Sequence, residues 1–221
     1  ARNSGTTGDI GISEADDLVI RNAAQTNAGA SAGNIDITAG GSVTVEAPGT
    51  GGTGVTIDGT AASTGTITLT ATGSGSSLAV NNAVTSKAGD ISLYGGDNVT
   101  FSADGSVTST TGNVTVTGNY GAGDAAGAIT MNAASTINAG TGTITLAAPE
   151  DITLTGLSTT NNTTSAVSVT TTGGTIKDAG DTATVDILAN SSVARTTLSA
   201  STGIGPGDAI TWIGRKAFRT A

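Results

Sequence analysis

Several residue types on which enzymes and metal sites depend are missing from this chain. It has no cysteine and no histidine, and aromatic residues make up only 2% of its 221 positions. Without cysteine there are no disulfides, thiolate ligands or thiol nucleophiles, and without histidine the commonest general base is missing. Because large aromatic side chains are scarce, a core has to be assembled from aliphatic ones.

Positive charge and long apolar runs are also scarce. The chain has 17 acidic and 8 basic residues, a formal net charge of −9, and no cluster of basic residues outside its C-terminal end. Nucleic-acid binding needs clustered Lys and Arg, so we predict no nucleic-acid partner. No stretch approaches the roughly 20 apolar residues that cross a bilayer, so we predict no membrane insertion. Neither end reads as a natural terminus, and we expect the chain to be a portion of a longer protein.

A short phrase, glycine followed by alternating aliphatic and polar residues, recurs along the chain. Strict alternation is the pattern of a half-buried strand, because successive side chains point to opposite faces. In "GTITLTAT" (65–72), Ile67 and Leu69 therefore share one face and the threonines share the other. The copies begin at Gly8, Gly33, Gly65, Gly89, Gly112, Gly127, Gly142 and Gly174.

Weaker strand patterns separate these copies, often after short connectors such as Ala39-Gly40-Gly41. Two or three strands in every 20 to 30 residues favour a coil that returns the chain one strand spacing, about 4.8 Å, above its start. We therefore predict an all-β fold, a right-handed parallel β-helix (β-solenoid) over residues 1–208. Tandem antiparallel β-sandwich domains are the alternative, because they also have short alternating strands and frequent turns. The uneven spacing of the copies predicts loops that bulge from some corners.

Segments such as "GNIDITAGGSVTVEA" (33–47) and "GDISLYGGDNVTFSADGSV" (89–107) resemble the repeats of filamentous-haemagglutinin-type exoproteins. Residues 142–212 are similar to the β-strand repeats of giant bacterial surface proteins, and the likeness covers roughly residues 8 to 212. The resemblance implies an extracellular or cell-surface location and a structural or adhesive role in a filament or matrix. It implies as partners other copies of the chain or the surface of a host or neighbouring cell.

Carboxylate pairs are the remaining candidates for catalysis, because β-helices also host enzymes that cleave polysaccharides. The candidate pairs are Asp16 with Asp17, Glu150 with Asp151, and Asp178 with Asp181. Solvated turn carboxylates are the simpler interpretation, and we predict no enzymatic activity. A carbohydrate-active β-helix enzyme is the alternative function.

Calcium is the one cofactor that the remaining oxygen ligands suggest, and we expect none in the simplest reading. "GGDN" (95–98) and "DAGD" (178–181) have the composition of calcium-binding turns, but the tandem spacing of a calcium roll is missing.

Thr-x-Thr arrays such as Thr66 to Thr72 would suit ice binding if they stacked in register. Uneven spacing of the copies predicts that they do not.

The C-terminal segment 209–221 differs from the rest, because "WIGRKAFRTA" combines an aromatic-rich composition with positive charge. We predict that it caps the last coil, links to a further domain or associates with another copy. The residues predicted to be available for self-association are Trp212, Arg215, Lys216, Phe218 and Arg219.

Overall fold

The computed structural model describes residues 1–121, 123–180, 185–205, 210–213 and 215–220, with side chains described for all of these except 27–28, 212–213 and 215–220. The described chain winds through nine coils, with three strands in each of the first eight and two in the last. One turn of 3₁₀ helix, Pro48–Thr50, is the only helical element in the described ranges.

The strands follow one another around the coils in chain order. The first four coils contain β1 (Arg2–Asn3), β2 (Ile10–Glu14), β3 (Leu18–Ile20); β4 (Asn22–Ala28), β5 (Ile35–Ala39), β6 (Val43–Val45); β7 (Gly54–Gly59), β8 (Ile67–Ala71), β9 (Leu78–Val80); and β10 (Val84–Thr85), β11 (Ile91–Gly95), β12 (Val99–Phe101). The next four contain β13 (Ser106–Thr108), β14 (Val114–Thr117), β15 (Ile129–Met131); β16 (Thr136–Asn138), β17 (Ile144–Ala148), β18 (Ile152–Leu154); β19 (Leu157–Thr159), β20 (Val167–Thr171), β21 (Thr175–Asp178); and β22 (Ile187–Ala189), β23 (Arg195–Ala200), β24 (Gly203–Ile204). The last described strands are β25 (Trp212–Ile213) and β26 (Arg215–Thr220).

The first, second and third strands of successive coils form three sheets, which we call sheets A, B and C. Sheets A and B each have nine strands and sheet C has eight in the described part of the chain. Every strand pairing there is parallel. The predicted right-handed parallel β-helix is confirmed, and the antiparallel β-sandwich alternative is wrong.

Inward-facing aliphatic side chains from the three sheets fill the tube. On sheet B the residues at the first inward position stack directly, because each is the register partner of the residue in the next coil. This column consists of Ile10, Ile35, Ile67, Ile91, Val114, Ile144 and Val167. Thr196 continues the column in the eighth coil; it is 5% exposed, and its Oγ1 atom is buried without a hydrogen-bond partner among the described residues.

A column of glycines lies where sheet A turns into sheet B. A methyl group on Gly33 would lie 1.9 Å from the Gly8 carbonyl oxygen, and one on Gly89 would lie 1.8 Å from that of Gly65. No side chain fits at such distances, so glycine is required by the close approach of the coil below. The column consists of Gly8, Gly33, Gly65, Gly89, Gly112 and Gly142, which are six of the eight glycines that open the repeated phrase.

Polar side chains beside the glycine column join each coil to the next. Asp90 Oδ1 accepts a hydrogen bond from the Asn113 backbone N–H at 2.7 Å, and Asn113 Oδ1 accepts one from that of Thr143 at 2.9 Å. A net stabilisation of about 0.5–1.5 kcal/mol is typical of one such bond. The same arrangement, with the same residue types, joins Asp9, Asn34 and Thr66.

The coils differ in length although their strands remain in register. From Ile35 to its partner Ile67 the chain takes 32 residues, whereas from Ile91 to its partner Val114 it takes 23. The extra residues lie between strands, so the predicted loops at some corners are confirmed by the strand boundaries. Two copies of the phrase, those beginning at Gly127 and Gly174, run into β15 and β21 of sheet C rather than into sheet B, which explains the irregular spacing.

The backbone near the C-terminus continues two of the sheets. Trp212 in β25 pairs in register with Ile187, and Phe218 in β26 pairs with Leu198. The predicted boundary between residues 208 and 209 lies outside the described residues, and so do the side chains predicted to mediate self-association. The assignment of 209–221 as a cap, association or linker segment stays a prediction.

Candidate functional site

A corner loop between β14 and β15, residues 118–128 with residue 122 outside the described part, folds back over the preceding coils. The backbone N–H of Tyr120 donates to the Gly95 carbonyl at 2.7 Å, and that of Asn119 donates to the Asp97 carbonyl at 2.9 Å. Ser74 Oγ, one coil further back, donates to Asp124 Oδ2 at 3.0 Å. The corner loop is therefore fastened to two earlier coils.

The two tyrosines of the chain meet at this corner. Tyr94 lies on β11 at an outward-facing position of sheet B, and Tyr120 comes from the corner loop. Their ring centroids are 4.0 Å apart with an interplanar angle of 15°, a stacked geometry. Tyr120 nevertheless remains 43% exposed, whereas Thr70, the register partner of Tyr94 in the preceding coil, is buried. The pair is a raised aromatic surface on a face that otherwise carries small polar residues.

Three carboxylates, those of Asp97, Asp124 and Glu150, lie at or near the corner loop. Burial raises the pKa of the Asp97 carboxyl, and the nearby Glu150 and Asp124 carboxylates raise it further. Asp97 Oδ2 also accepts a hydrogen bond from Asn98 Nδ2 at 2.7 Å. Within the described residues no group of three or more acidic side chains is placed to hold a metal ion.

A hollow lies immediately beside the tyrosine pair on sheet B. It has a volume of about 270 Å³, and its lining includes Thr117, Asn119, Ala147 and Thr170. Thr117 is the register partner of Tyr94, and Ala147 and Thr170 continue the same outward column in the next two coils. The small side chain of Ala147 leaves the depression between larger neighbours.

A second groove, on sheet C, contains one of the predicted carboxylate pairs. It has a volume of about 460 Å³ and is lined by Glu150, Asp151, Thr153 and Lys177, among others. Lys177 Nζ donates to Asp151 Oδ2 at 2.8 Å, and Thr175 donates to Asp151 Oδ1 through its backbone N–H. These hydrogen bonds lower the pKa of Asp151 to about 2, so this carboxyl is ionised at neutral pH and holds no proton to donate to a leaving group.

The other predicted pairs have different surroundings. Asp17 Oδ1 accepts a hydrogen bond from the Ser42 backbone N–H at 2.7 Å, so it joins two coils in the same way as the polar residues beside the glycine column. Asp16 accepts through its backbone carbonyl from Gly41. Asp178 lies at the end of β21, and its partner Asp181 lies outside the described residues, as does the end of the "DAGD" segment.

The hydroxyl-bearing residues stack in register, contrary to the prediction from uneven spacing. On the outer face of sheet B, Thr68, Ser92, Thr115, Thr145, Ser168 and Thr197 form one continuous column over six coils. The prediction was wrong because extra residues are accommodated at corners and leave the strand register unchanged. Tyr94 lies two residues after Ser92 on the same face of its strand, and it interrupts the adjacent column between Thr70 and Thr117.

Sequence reasoning missed the tyrosine pair and the hollow. The available signal was the segment "NYGAGDAAG" (119–127), a glycine-rich insertion in the middle of a repeat. Because Gly127 also opens a copy of the repeated phrase, the insertion was hidden within an apparently short repeat. The partner residue, Tyr94, comes from the preceding coil, and sequence spacing alone does not bring the two rings together.

Comparisons with protein families, with curated proteins and with solved structures find no match for this chain. Among the described residues there is no helix long and apolar enough to span a bilayer.

Proposed function

We propose that the chain is a stiff structural and adhesive segment of a bacterial extracellular surface protein, of the filamentous-haemagglutinin-like kind that its repeats resemble. The observation that carries the proposal is the unbroken stacking of coils, in which sheets A and B run through all nine described coils and sheet C through the first eight. Stacked coils of this kind form an extended, quasi-one-dimensional body whose outer faces are free to contact other surfaces.

The packing supports a load-resistant role. Successive coils are joined by three parallel strand pairings through the eighth coil and by two between the eighth and the ninth, with aliphatic columns inside and side-chain hydrogen bonds at several corners. The glycine column keeps the backbones of neighbouring coils in close contact. Pulling on one coil therefore acts against many contacts at once.

No catalysis is part of this proposal, and no metal or other cofactor is needed for it. The alternative of a carbohydrate-active enzyme could use Asp151 in the sheet C groove only as the ionised nucleophile or base, and both of its carboxylate oxygens already accept hydrogen bonds from Lys177 and Thr175. Partners under the proposal are other copies of the chain or the surface of a neighbouring or host cell.

Two measurements test the proposal separately. Limited proteolysis at increasing protease concentration tests the stiff body: we expect a resistant fragment covering most of the chain, with early cleavage confined to exposed corner loops. Attachment of beads coated with the purified chain to cell surfaces tests adhesion, with beads carrying a variant unfolded by Ile91→Asp as the control. Rapid digestion throughout the chain would refute the stiff body, and attachment equal to the control would refute adhesion.

Electron microscopy of the purified chain tests self-association. Long regular fibres would identify an assembling subunit, whereas single short particles would identify a spacer whose contacts are made only with other molecules.

Adding calcium or a chelator should leave the melting temperature unchanged. A calcium-dependent rise would favour an ion-stabilised solenoid instead.

A further inference from the structure

The hollow beside the tyrosine pair has the size of a small ligand subsite. Its volume of about 270 Å³ lies just below the roughly 300–1,000 Å³ range of small-molecule pockets. A single pyranose ring is therefore a better match than a larger aromatic or nucleotide ligand. The hollow is also open along the sheet B face, because its floor residues belong to a continuous outward column.

The corner offers the two kinds of contact that sugars use, one from the tyrosine pair beside the hollow and one from the residues that line it. Tyr120 provides an exposed aromatic ring, and the flat face of such a ring suits the C–H groups of a pyranose. Tyr94 stacks on the Tyr120 ring and fixes its position. Thr117 and Thr170, which line the hollow, carry hydroxyls that both donate and accept hydrogen bonds.

Asn119 adds an unsatisfied acceptor. Its Oδ1 atom is out of contact with solvent and has no hydrogen-bond partner among the described residues, and Asn119 is one of the residues that line the hollow. Its Nδ2 donates to the Asp124 carbonyl of the same corner loop. A buried acceptor without a donor is unfavourable, and a hydroxyl group of a ligand is a donor that could satisfy it after a small side-chain movement.

The surroundings also determine the charge of the ligand. Asp97, Asp124 and Glu150 lie close enough to one another for their charges to raise the pKa of Asp97, and the whole chain has a net charge of −9. An acidic polysaccharide would be repelled, so the surface suits an uncharged one. The hydroxyl column beside the hollow extends the polar surface along the coil stack, at about 4.8 Å per coil, so more than one sugar unit can be contacted.

We infer that the corner formed by Tyr94, Tyr120, Asn119, Thr117 and Ala147 binds one ring of a neutral glycan chain, which continues over the hydroxyl column of sheet B. This inference rests on the adhesive part of the proposed function and names the chemical class of its ligand. It assigns recognition to the outer face of the coil stack and leaves the C-terminal segment free for other roles.

Affinity electrophoresis of the full chain tests the inference. The purified protein is run in native gels containing a neutral β-glucan (hydroxyethylcellulose), a soluble chitin derivative or an acidic polysaccharide (alginate). We expect retardation in at least one neutral gel and none in alginate. Retardation in alginate alone, or in no gel, would overturn the inference.

Four variants locate the site. Tyr120→Ala should weaken binding about tenfold, the size of effect expected from losing one aromatic stacking contact, whereas Tyr120→Phe should bind within about threefold of the parent chain. Thr117→Val keeps the shape of the strand and removes a hydroxyl, so it should weaken binding several-fold. Thr108→Val, at a half-buried outward position on sheet A, is the matched control and should bind like the parent. Equal binding by Tyr120→Ala and the parent would overturn the assignment.

Folding and adhesion are kept apart from glycan binding in these tests. Each variant is first compared with the parent by thermal melting, and if Tyr120→Ala melts early, the comparison of Thr117→Val with Thr108→Val decides. Equal binding by those two would then overturn the inference. Cell attachment without retardation of the protein in the glycan gels would refute the glycan inference and leave the adhesive proposal standing. Retardation in a neutral glycan gel without cell attachment would refute the adhesive proposal and leave only the binding of glycan at this corner.

Discussion

The glycine column gives the sharpest test of how the coils are packed. In Gly89→Ala the new methyl group would lie 1.8 Å from the Gly65 carbonyl oxygen and 2.8 Å from that of Thr64. Both atoms belong to the backbone of the coil below, so relief requires the two coils to separate locally. Overpacking of this kind costs typically about 1–3 kcal/mol, and weakening one adjacent inter-coil hydrogen bond adds about 0.5–1.5 kcal/mol.

We therefore expect Gly89→Ala to lower the free energy of unfolding by roughly 2–4 kcal/mol. The assay is urea unfolding followed by far-ultraviolet circular dichroism, with the midpoint and slope compared between variants. Gly49→Ala is the matched control: this exposed glycine has no heavy atom within 4 Å of an added methyl group and no positive φ. The control should be neutral or slightly stabilising, by up to about 1 kcal/mol, because alanine restricts the unfolded chain. Equal stability of the two variants would refute the close packing of the coils at this corner.

Three further substitutions test buried and charged groups. Thr196→Val should raise the free energy of unfolding by about 1 kcal/mol, because it removes a buried hydroxyl without a described partner; a lower urea midpoint would count against this. Lys177→Met should raise the pKa of Asp151 from about 2 towards its ordinary value, as followed by carboxyl NMR titration. In the parent chain the lowered pKa of Asp151 stabilises the fold above pH 3.8, and this stabilisation should be lost as the pH falls towards 2. The pKa of Asp97 is raised, by burial and by Glu150, so its ionised carboxylate destabilises the fold at neutral pH. Asp97→Asn should therefore stabilise the fold at pH 7 and lose this advantage below pH 3.8, where the carboxyl is protonated in both the folded and the unfolded chain. An equal effect at both pH values would contradict this.

Much of the fold followed from the sequence because its causes are local. The alternation of Ile67, Thr68 and Leu69 specifies a strand with one apolar face, and its repetition specifies stacking. The glycine before each such strand was visible too, but its reason was not: it is the carbonyl of the preceding coil, some 23 to 32 residues away, that excludes a side chain.

Register could not be obtained from spacing, because a parallel coil tolerates insertions at its corners. The spacing of the phrase therefore wrongly suggested that Thr68 and Thr145 do not belong to one column. The candidate site was missed for a related reason. Tyr94 and Tyr120 are 26 positions apart, and only the fold-back of the corner loop brings their rings into contact.

The central claim is that the chain rises by one strand spacing per coil, whatever the coil length. Because the chain has no cysteine, pairs of nitroxide labels can be introduced at Asp36→Cys together with Thr145→Cys, Ser168→Cys or Thr197→Cys, all at the same column position of sheet B. Pulsed electron paramagnetic resonance should then give backbone separations of about 19, 24 and 29 Å, which correspond to four, five and six steps of about 4.8 Å. Separations that fail to increase by equal steps, or that bring the most distant pair closer than the nearest, would contradict the stacked-coil architecture.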